Sequence, residues 1–324
     1  MEQSIGERQR WAWLAAGLSA AAAVKICSYG WLSILIGGLA VSIYYIIADR
    51  YLSDRGLARL LCESLGWGGK ILAALTLLWT VLVMGWTANL ADGAFPGVNG
   101  FPGLGWVLLA VSGWGSWKGF GACARCCGIL CLFLIALYGV IAVFAVPDVT
   151  WRYLVPSMSW GEGIWSAGLF LLPFGVWYVP CSHSRKGPAW QMAFLLPVFA
   201  AALAAVTAGV LSPELAAQRT VPLYDLAQSV SLFGVVERIE PLLSAAMTMG
   251  VFALLSSQTC AARALADQLR PRRWNAAAVC GFAGLTMVLT KDMPTELIAV
   301  GALVFGLVIP IIVLIISGKR NERT

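Results

Sequence analysis

One stretch of this chain, VPLYDLAQSVSLFGVVERIEPL, places three carboxylates and an arginine at residues 221–242, between two long apolar segments. Within it, Glu237 and Glu240 stand three residues apart and share one face of a helix, from which Arg238 is turned away. Acids beside a membrane-spanning helix normally face the interior of the bundle or water and mark a functional path. We therefore expect Glu237, Arg238, Glu240 and the preceding Asp225 to act in gating or in contact with another subunit. The alternative is a solvated rim.

A second candidate site is a predicted break in the apolar segment GIWSAGLFLLPFGVWYVP. Gly168, Pro173 and Gly175 lie near its middle, where proline removes a backbone donor and glycine lets the chain leave helical geometry. Non-helical backbone at membrane depth is tolerated only where it is buried in protein or lines a cavity. Gly168, Pro173, Phe174 and Gly175 are therefore candidate ligand contacts through free backbone groups. The alternative is a proline kink that only shapes packing.

Cysteines form a third group, the densest part of which is CARCC. Cys123, Cys126 and Cys127 share one helical face, so three thiolates could meet a metal ion. No second ligand cluster and no histidine lies near them in the sequence, and cysteine is also a common small packing residue between helices. We favour packing, and the sequence predicts neither a metal nor a cofactor.

The composition indicates a membrane protein. The chain is 60% hydrophobic and 12% charged, with 15 Trp and a mean hydropathy of +0.80, whereas soluble domains carry about 25% charged residues. The net charge of +6 comes from basic residues at the ends of apolar runs, which does not indicate a nucleic-acid partner. Paired acids with a base, a His cluster and a phosphate-binding glycine loop are all missing from the sequence, so we do not expect an enzyme.

Ten apolar runs are long enough to span a bilayer, which takes about 20 residues. They are 11–28, 31–48, 70–90, 102–117, 120–146, 163–181, 189–211, 235–258, 275–290 and 295–317. With both termini in the cytoplasm, most Lys and Arg residues fall in inside segments, as the positive-inside rule requires. The exceptions are Lys25, Arg152, Arg219, Arg238 and Lys291. We therefore expect one transmembrane permease-like domain over residues 1–324.

The stretch VPLYDLAQSVSLFGVVERIEPLLSAAMTMGVF resembles the spore germination receptor B-subunit (GerAB-type) family. Weaker resemblances follow the same order in YGWLSILIGG, WKGFGACAR and WRYLVPSMSWGEGIWSAGLF, and together the matches span about residues 29–260. The resemblance implies the amino acid–polyamine–organocation permease superfamily. It also implies an all-α integral membrane fold with a five-plus-five inverted repeat, LeuT-like, in which helices 1 and 6 are broken.

The same resemblance implies a spore germination protein in the inner spore membrane of a bacterium. Such a subunit would sense a small nutrient, for example an amino acid or a sugar, together with A-type and C-type receptor subunits and surrounding lipid. The chain departs from the family pattern in its first helix, where only Gly17 is available for an unwound binding segment, and at Tyr29, where aspartate is common.

Three functions remain open at this stage. In a germinant-sensing subunit, a ligand in a central cavity would shift the bundle between two states. Ser244 and Thr248, one turn apart, could face that cavity beside the sixth-helix break. The alternatives are an amino acid/cation secondary transporter, which needs an ion site, and a structural membrane subunit whose ligand site has decayed.

Overall fold

The structure is a computed structural model. It describes residues 5–24, 26–52, 56–92, 103–155, 159–182, 189–219, 221–229, 240–272 and 274–321. Six of the described helices are long and apolar enough to cross a membrane, so the chain is a multi-pass membrane protein. These spans are Trp31–Asp49, Trp67–Ala91, Phe120–Asp148, Ala193–Leu211, Pro241–Leu269 and Thr295–Ile316.

The described residues are mostly helical. The helices are α1 (Glu7–Val24), α2 (Trp31–Leu52), α3 (Leu57–Leu65), α4 (Trp67–Asp92), α5 (Leu104–Lys118), α6 (Phe120–Ala145), α7 (Trp160–Phe170), α8 (Ala189–Leu211), α9 (Pro213–Gln218), α10 (Pro222–Ser229), α11 (Glu240–Leu269), α12 (Asn275–Thr290), α13 (Thr295–Leu303) and α14 (Ile309–Asn321). Shorter 3₁₀ segments cover Ile26–Ser28, Val146–Asp148, Trp151–Leu154 and Leu172–Tyr178, and a π turn, Val304–Val308, joins α13 to α14. Strands β1 (Ile5–Gly6) and β2 (Cys181–Ser182) pair in parallel.

Every apolar run in the sequence contains a helix, but only six described helices meet the length and apolarity of a membrane span. Of the other four, α1 carries charges in its first turns, α5 and α12 are only 15 and 16 residues long, and the sixth run is partly 3₁₀. The count of ten spans is therefore not established by these helices. Before the eighth span lies the short helix α10, whose Leu223 and Leu226 are buried.

The expected break in the first helix is wrong, because α1 is continuous from Glu7 to Val24. Its sequence is rich in alanine, the strongest helix former, and has no proline to interrupt it. Gly17 serves packing instead. A Cβ atom at Gly17 would lie 3.1 Å from Cβ of Pro173 and 3.5 Å from Cα of Leu254, so the missing side chain lets three segments approach closely.

The core of the bundle surrounds α1. This helix packs against α11 and α6, while α2 packs against α7 and α8, and α4 packs against α11 and α12. The indole of Trp13 donates a hydrogen bond to the Ala253 carbonyl at 3.1 Å and so joins α1 to α11. The 3₁₀ segment Leu172–Tyr178 lies within this core and is buried along its whole length.

Candidate functional site

The sixth span changes geometry in its middle, as the sequence predicts. The helix α7 ends at Phe170, and Leu172–Tyr178 continue as a 3₁₀ helix. Pro173 has no N–H group with which to extend the α-helical ladder. The Phe174 N–H instead bonds to the Leu171 carbonyl at 2.9 Å, a tighter i→i+3 bond. The break therefore places non-helical backbone inside the bundle.

Four aromatic rings from α2 and the 3₁₀ segment form a stacked layer beside this break. Trp177 lies parallel to Tyr45, with 4.6 Å between ring centroids, and to Phe174, at 5.4 Å. Tyr44 stacks on Phe174 at 5.5 Å. The Tyr45 hydroxyl also donates to the Phe170 carbonyl at the end of α7. This aromatic layer braces the break and satisfies a carbonyl that α7 leaves free.

A second irregular element, the π turn Val304–Val308, lies on the other side of the same layer. The Tyr44 hydroxyl donates to the Gly306 carbonyl at 2.7 Å, and the Tyr178 hydroxyl donates to the Phe305 carbonyl at 3.4 Å. Single π turns inside helices occur often at functional sites. Tyr44 thus joins α2, and Tyr178 the broken sixth span, to an irregular turn in the last span.

Between these two irregular segments lies a cavity of about 50 Å³, here named the central cavity. It is lined by Thr76, Trp79, Thr80, Val83, Leu171, Leu172, Phe174, Gly175, Tyr178, Gln258, Ala261, Ala302, Phe305 and Gly306. The walls come from α4, the 3₁₀ segment, α11 and the α13–π turn. The cavity has room for a few water molecules or a small ligand group.

Gln258 is the most informative residue in this cavity. Its side chain is 2% exposed, and neither its carboxamide oxygen nor its nitrogen has a hydrogen-bond partner among the described residues. A buried amide left unpaired costs about 1–3 kcal/mol. Nearby, the Thr76 and Thr80 hydroxyls donate to carbonyls of their own helix, at 2.8 and 2.7 Å, and keep lone pairs that can accept. The cavity therefore offers the two N–H donors of the Gln258 amide and several acceptors to a guest.

The predicted ligand contacts in the sixth span divide into two groups. Phe174 and Gly175 line the central cavity, as expected. Pro173 and Gly168 do not, and Gly168 instead permits close packing, because a Cβ there would lie 2.4 Å from the Ala299 carbonyl oxygen. Gly17 likewise contacts helices and lies outside the lining. These three residues therefore do not line the central cavity, and their contact with a ligand stays a prediction.

Ser244 and Thr248 also lie away from the central cavity. The Thr248 hydroxyl donates to the Ser244 carbonyl at 2.9 Å within α11, and neither residue lines the cavity. Gln258 is ten residues further along this helix, a distance of about 15 Å at 1.5 Å per residue. The role of Ser244 and Thr248 in ligand binding stays a prediction.

The predicted gating residues are only partly described. Asp225 on α10 forms an ion pair with Arg219 at 3.2 Å, and both side chains are partly exposed. Glu237 and Arg238 lie outside the described residues, and of Glu240 only the backbone, at the start of α11, is described. Their roles in gating or subunit contact stay predictions.

Tyr29 lies at the end of the bundle where α2 begins. The neighbouring Gly30 N–H donates to a Glu162 carboxylate oxygen at 3.0 Å, which ties this end of α2 to the start of α7. Burial, with the negative charges of Glu296 and Glu162, raises the pKa of Tyr29 to about 12. The phenol therefore stays neutral at physiological pH, unlike an aspartate at the same position.

A further cavity, of about 100 Å³, lies on the other side of Tyr178 and is here named the side cavity. Its polar lining residues are Arg59, Asp267 and Gln268, from α3 and α11. Tyr178 lines both cavities, and we expect its ring to form part of the wall between them.

The three neighbouring cysteines of α6 differ in their exposure. Cys123 and Cys127 are buried, whereas Cys126 is exposed, so the three thiols do not point into one site. In the described part of the chain, no group of three or more His, Cys, Asp or Glu side chains is arranged to hold a metal ion.

Comparisons with known proteins add information on the fold. No protein-family model and no curated protein matches the chain. Among solved structures, it is similar to a nucleobase-cation-symport-1 family transporter in a closed conformation with bromovinylhydantoin bound. The TM-score is 0.67 at 13% identity, over 97% of this chain and 78% of the transporter. The protein has a transporter fold.

A second similar structure is the substrate-bound, outward-open state of a Na⁺-coupled sialic acid symporter. Its TM-score is 0.63 at 13% identity, over 94% of this chain and 79% of the symporter. These likenesses support the permease architecture that the sequence resemblance implies. They do not test a role in spore germination.

Proposed function

We propose that this protein is a permease of the secondary-transporter type that binds one small, uncharged polar molecule in the central cavity. The observation that carries this proposal is Gln258, a buried carboxamide with both of its polar atoms unpaired at the cavity wall. Buried polar groups are nearly always satisfied, so a polar guest is the natural partner of this side chain. Secondary transporters bind their substrates at broken helices of this kind, so the transporter fold also favours this cavity as a binding site.

The chemistry of the lining favours a neutral guest with an adjacent N–H and C=O group. A carboxamide presents a donor and an acceptor side by side and so matches the edge of a cyclic amide. Trp79 stacks on Phe305, with 5.3 Å between ring centroids, and the pair gives a flat apolar wall. No charged residue lines the central cavity among the described residues, so a zwitterionic amino acid would leave both of its charges unpaired.

Of the ligands bound by the two similar transporters, only one resembles a neutral guest with adjacent N–H and C=O groups. One binds bromovinylhydantoin, whose ring carries adjacent N–H and C=O groups, and the other binds sialic acid, which is an anion at neutral pH. The lining of the central cavity is closer in chemistry to the first of these ligands.

The arrangement in the membrane is part of the proposal. Ten crossings are formed by α1, α2, α4, α5, α6, α7 with its 3₁₀ segment, α8, α11, α12 and α13–α14. They follow a five-plus-five inverted repeat with both termini in the cytoplasm, as the distribution of Lys and Arg favours. Here the break in the sixth crossing supplies the cavity backbone.

A second candidate function is the germinant-sensing subunit that the sequence resemblance implies, acting with A-type and C-type receptor subunits in the inner spore membrane. One feature of the site favours it over coupled transport. Proton relays in membranes use Asp, Glu or His, and none of these lines the central cavity among the described residues. Binding without coupled transport is sufficient for a sensor.

The test is ligand-dependent thermal stability of the detergent-purified protein with uracil, hydantoin, leucine and glucose. A ligand at 100 times its Kd stabilises the native state by about 2.7 kcal/mol. We expect stabilisation by a cyclic amide and its loss in Gln258→Leu, which keeps the side-chain volume. The control is Thr207→Val. In wild type, the Thr207 hydroxyl donates to the Leu203 carbonyl within its own helix, and Thr207 does not line the central cavity.

Two outcomes would overturn parts of this proposal. Stabilisation by leucine alone would exclude the neutral-guest assignment, and equal stabilisation of wild type and Gln258→Leu would exclude the central cavity as the site. Uptake of the stabilising ligand into liposomes would identify a transporter, whereas binding without uptake would favour the sensor.

A further inference from the structure

A groove of about 320 Å³ lies on the outside of the bundle, between α5 and α12. Its walls include Trp114 and Trp117 from α5 and Trp274 from the turn before α12, and each of these side chains is more than half exposed. The volume lies within the range of small-molecule sites, about 300–1,000 Å³. We name this feature the tryptophan groove.

The shape of the tryptophan groove follows from small residues at its floor. A Cβ atom at Gly113 would lie 2.5 Å from the Cys280 sulfur, so the absence of a side chain lets α5 and α12 meet there. Ala276 and Ala277 on α12 add little height to the floor. At one end, Trp117 and Trp274 stack with 6.3 Å between ring centroids. A narrow apolar channel is left under three indoles.

Three exposed basic residues lie within four residues of Trp117 or Trp274 in the sequence. The Lys118 ammonium lies 5.6 Å from the centroid of the Trp114 ring. Arg270 and Arg272 are exposed in the turn before α12. Asn275, at the start of α12, donates from its side chain to the Arg270 carbonyl at 3.0 Å and from its backbone to the Arg272 carbonyl at 3.2 Å. These bonds hold the arginine-bearing turn against the end of the groove.

The positive charge at this end is not neutralised by the nearest described acid. Asp267 is engaged by Arg263, at 3.5 Å, and by the Asn275 amide, at 2.6 Å. Within the described ranges, no ion pair involves Lys118, Arg270 or Arg272. An apolar channel thus opens beside three cations that have no acidic partner among the residues described by the structure.

We propose that the tryptophan groove binds an anionic phospholipid, with one acyl chain in the channel and the phosphate against Lys118, Arg270 and Arg272. Exposed Trp side chains mark the membrane–water interface, and Lys extends its ammonium group towards that interface. Anionic lipid is attracted by such basic residues, each worth about a fivefold change in affinity near the surface. The groove faces outward and shares no lining residue with the central cavity.

The proposal is tested with delipidated, detergent-solubilised protein by native mass spectrometry during titration with phosphatidylglycerol or phosphatidylcholine. Wild type should bind phosphatidylglycerol more tightly. Each of Lys118→Gln, Arg270→Gln and Arg272→Gln should reduce that preference about fivefold. Ala277→Phe, which fills the channel from an exposed position, should weaken the binding of both lipids. Lys70→Gln and Lys291→Gln remove exposed charges elsewhere and should leave the preference unchanged.

Thermal melts of every variant establish that it is folded before lipids are compared. A variant that combines Lys118→Gln, Arg270→Gln and Arg272→Gln tests the head-group contact. If this variant is folded and keeps its preference for phosphatidylglycerol, the head-group contact is overturned. Unchanged lipid binding by folded Ala277→Phe would overturn the acyl-chain site. The proposal is also overturned if wild type binds no lipid and forms a dimer that Ala277→Phe dissociates. The groove would then be a contact between two copies of the chain.

Discussion

Arg10 forms a buried ion pair with Asp49, at 3.0 Å between the guanidinium nitrogen and the carboxylate oxygen. A second guanidinium nitrogen donates to the Val179 carbonyl at 3.2 Å, and the guanidinium carbon lies 5.8 Å from the centroid of the Trp177 ring. One arginine therefore connects the start of α1, the end of α2 and the segment that follows the broken sixth span. Through Trp177, the three elements also contact the aromatic layer.

Replacing Arg10 by Gln should strongly destabilise the protein, because it leaves the Asp49 carboxylate buried without a counter-charge. Breaking a buried pair in this way costs about 3–5 kcal/mol. The measurement is the apparent melting temperature of the purified protein in detergent. The matched control is Arg59→Gln in the half-exposed Arg59–Glu63 pair, where a loss of only about 0–1 kcal/mol is expected. Equal losses in the two variants would contradict the structural role given to Arg10.

The break in the sixth span could be predicted from the sequence because its cause is local. Pro173 cannot donate the next helical hydrogen bond wherever it stands in the fold. The residue that packs against each nearby glycine could not be predicted, since a glycine indicates only that another part of the chain approaches closely. For Gly168 this neighbour is the backbone of α13, and for Gly17 it is Pro173 and Leu254.

For a related reason, Gln258 could not be recognised from the sequence as a cavity residue. It belongs to the polar run Ser256–Thr259, which in an apolar sequence resembles the end of a span, and the predicted eighth span therefore stops at residue 258. In the structure α11 continues to Leu269, and all four residues of the run are buried. Their burial depends on neighbouring helices far away in the sequence, which neither periodicity nor composition identifies. A glutamine near the middle of a 30-residue helix was the available signal.

Gly175→Ala should destabilise the protein although it adds only one methyl group. The new Cβ would lie 2.7 Å from the Ser257 carbonyl oxygen, which is backbone and cannot rotate away. Overpacking of this kind costs about 1–3 kcal/mol. The control is Gly281→Ala in α12, where no atom lies within 4 Å of the new methyl group. That variant should gain up to about 1 kcal/mol from helix propensity, and a fall in its melting temperature equal to that of Gly175→Ala would contradict the argument.

Tyr44→Phe should loosen the π turn, because the Gly306 carbonyl loses its 2.7 Å hydrogen bond inside the bundle. Loss of one partner from a buried hydrogen bond costs about 1–3 kcal/mol. Thermal unfolding measures the loss, and Tyr153→Phe, at an exposed position, is the control. If Tyr44 and Tyr153 variants melt at the same temperature, the tyrosine does not stabilise the turn.

Tyr178→Ala should open the wall between the central cavity and the side cavity, because this residue lines both. The observable is the rate at which a water-soluble maleimide modifies a cysteine introduced at Ala302, which lines the central cavity. Peptide mass spectrometry separates this label from labels on the native cysteines. The rate should rise in Tyr178→Ala, since the ring no longer blocks the passage.

The matched control for the open wall is Tyr178→Phe, which keeps the ring and loses only the hydroxyl that donates to the Phe305 carbonyl at 3.4 Å. Its labelling rate should stay close to that of wild type if the ring is the barrier. A second cysteine, introduced at the buried Ala204 of α8, which lines no route between the two cavities, tests for general loosening of the bundle. Faster labelling at both positions in Tyr178→Ala would mean that the bundle has loosened and that Tyr178 is not the barrier. Faster labelling at residue 302 alone would make Tyr178 the residue that a ligand must displace to pass between the cavities.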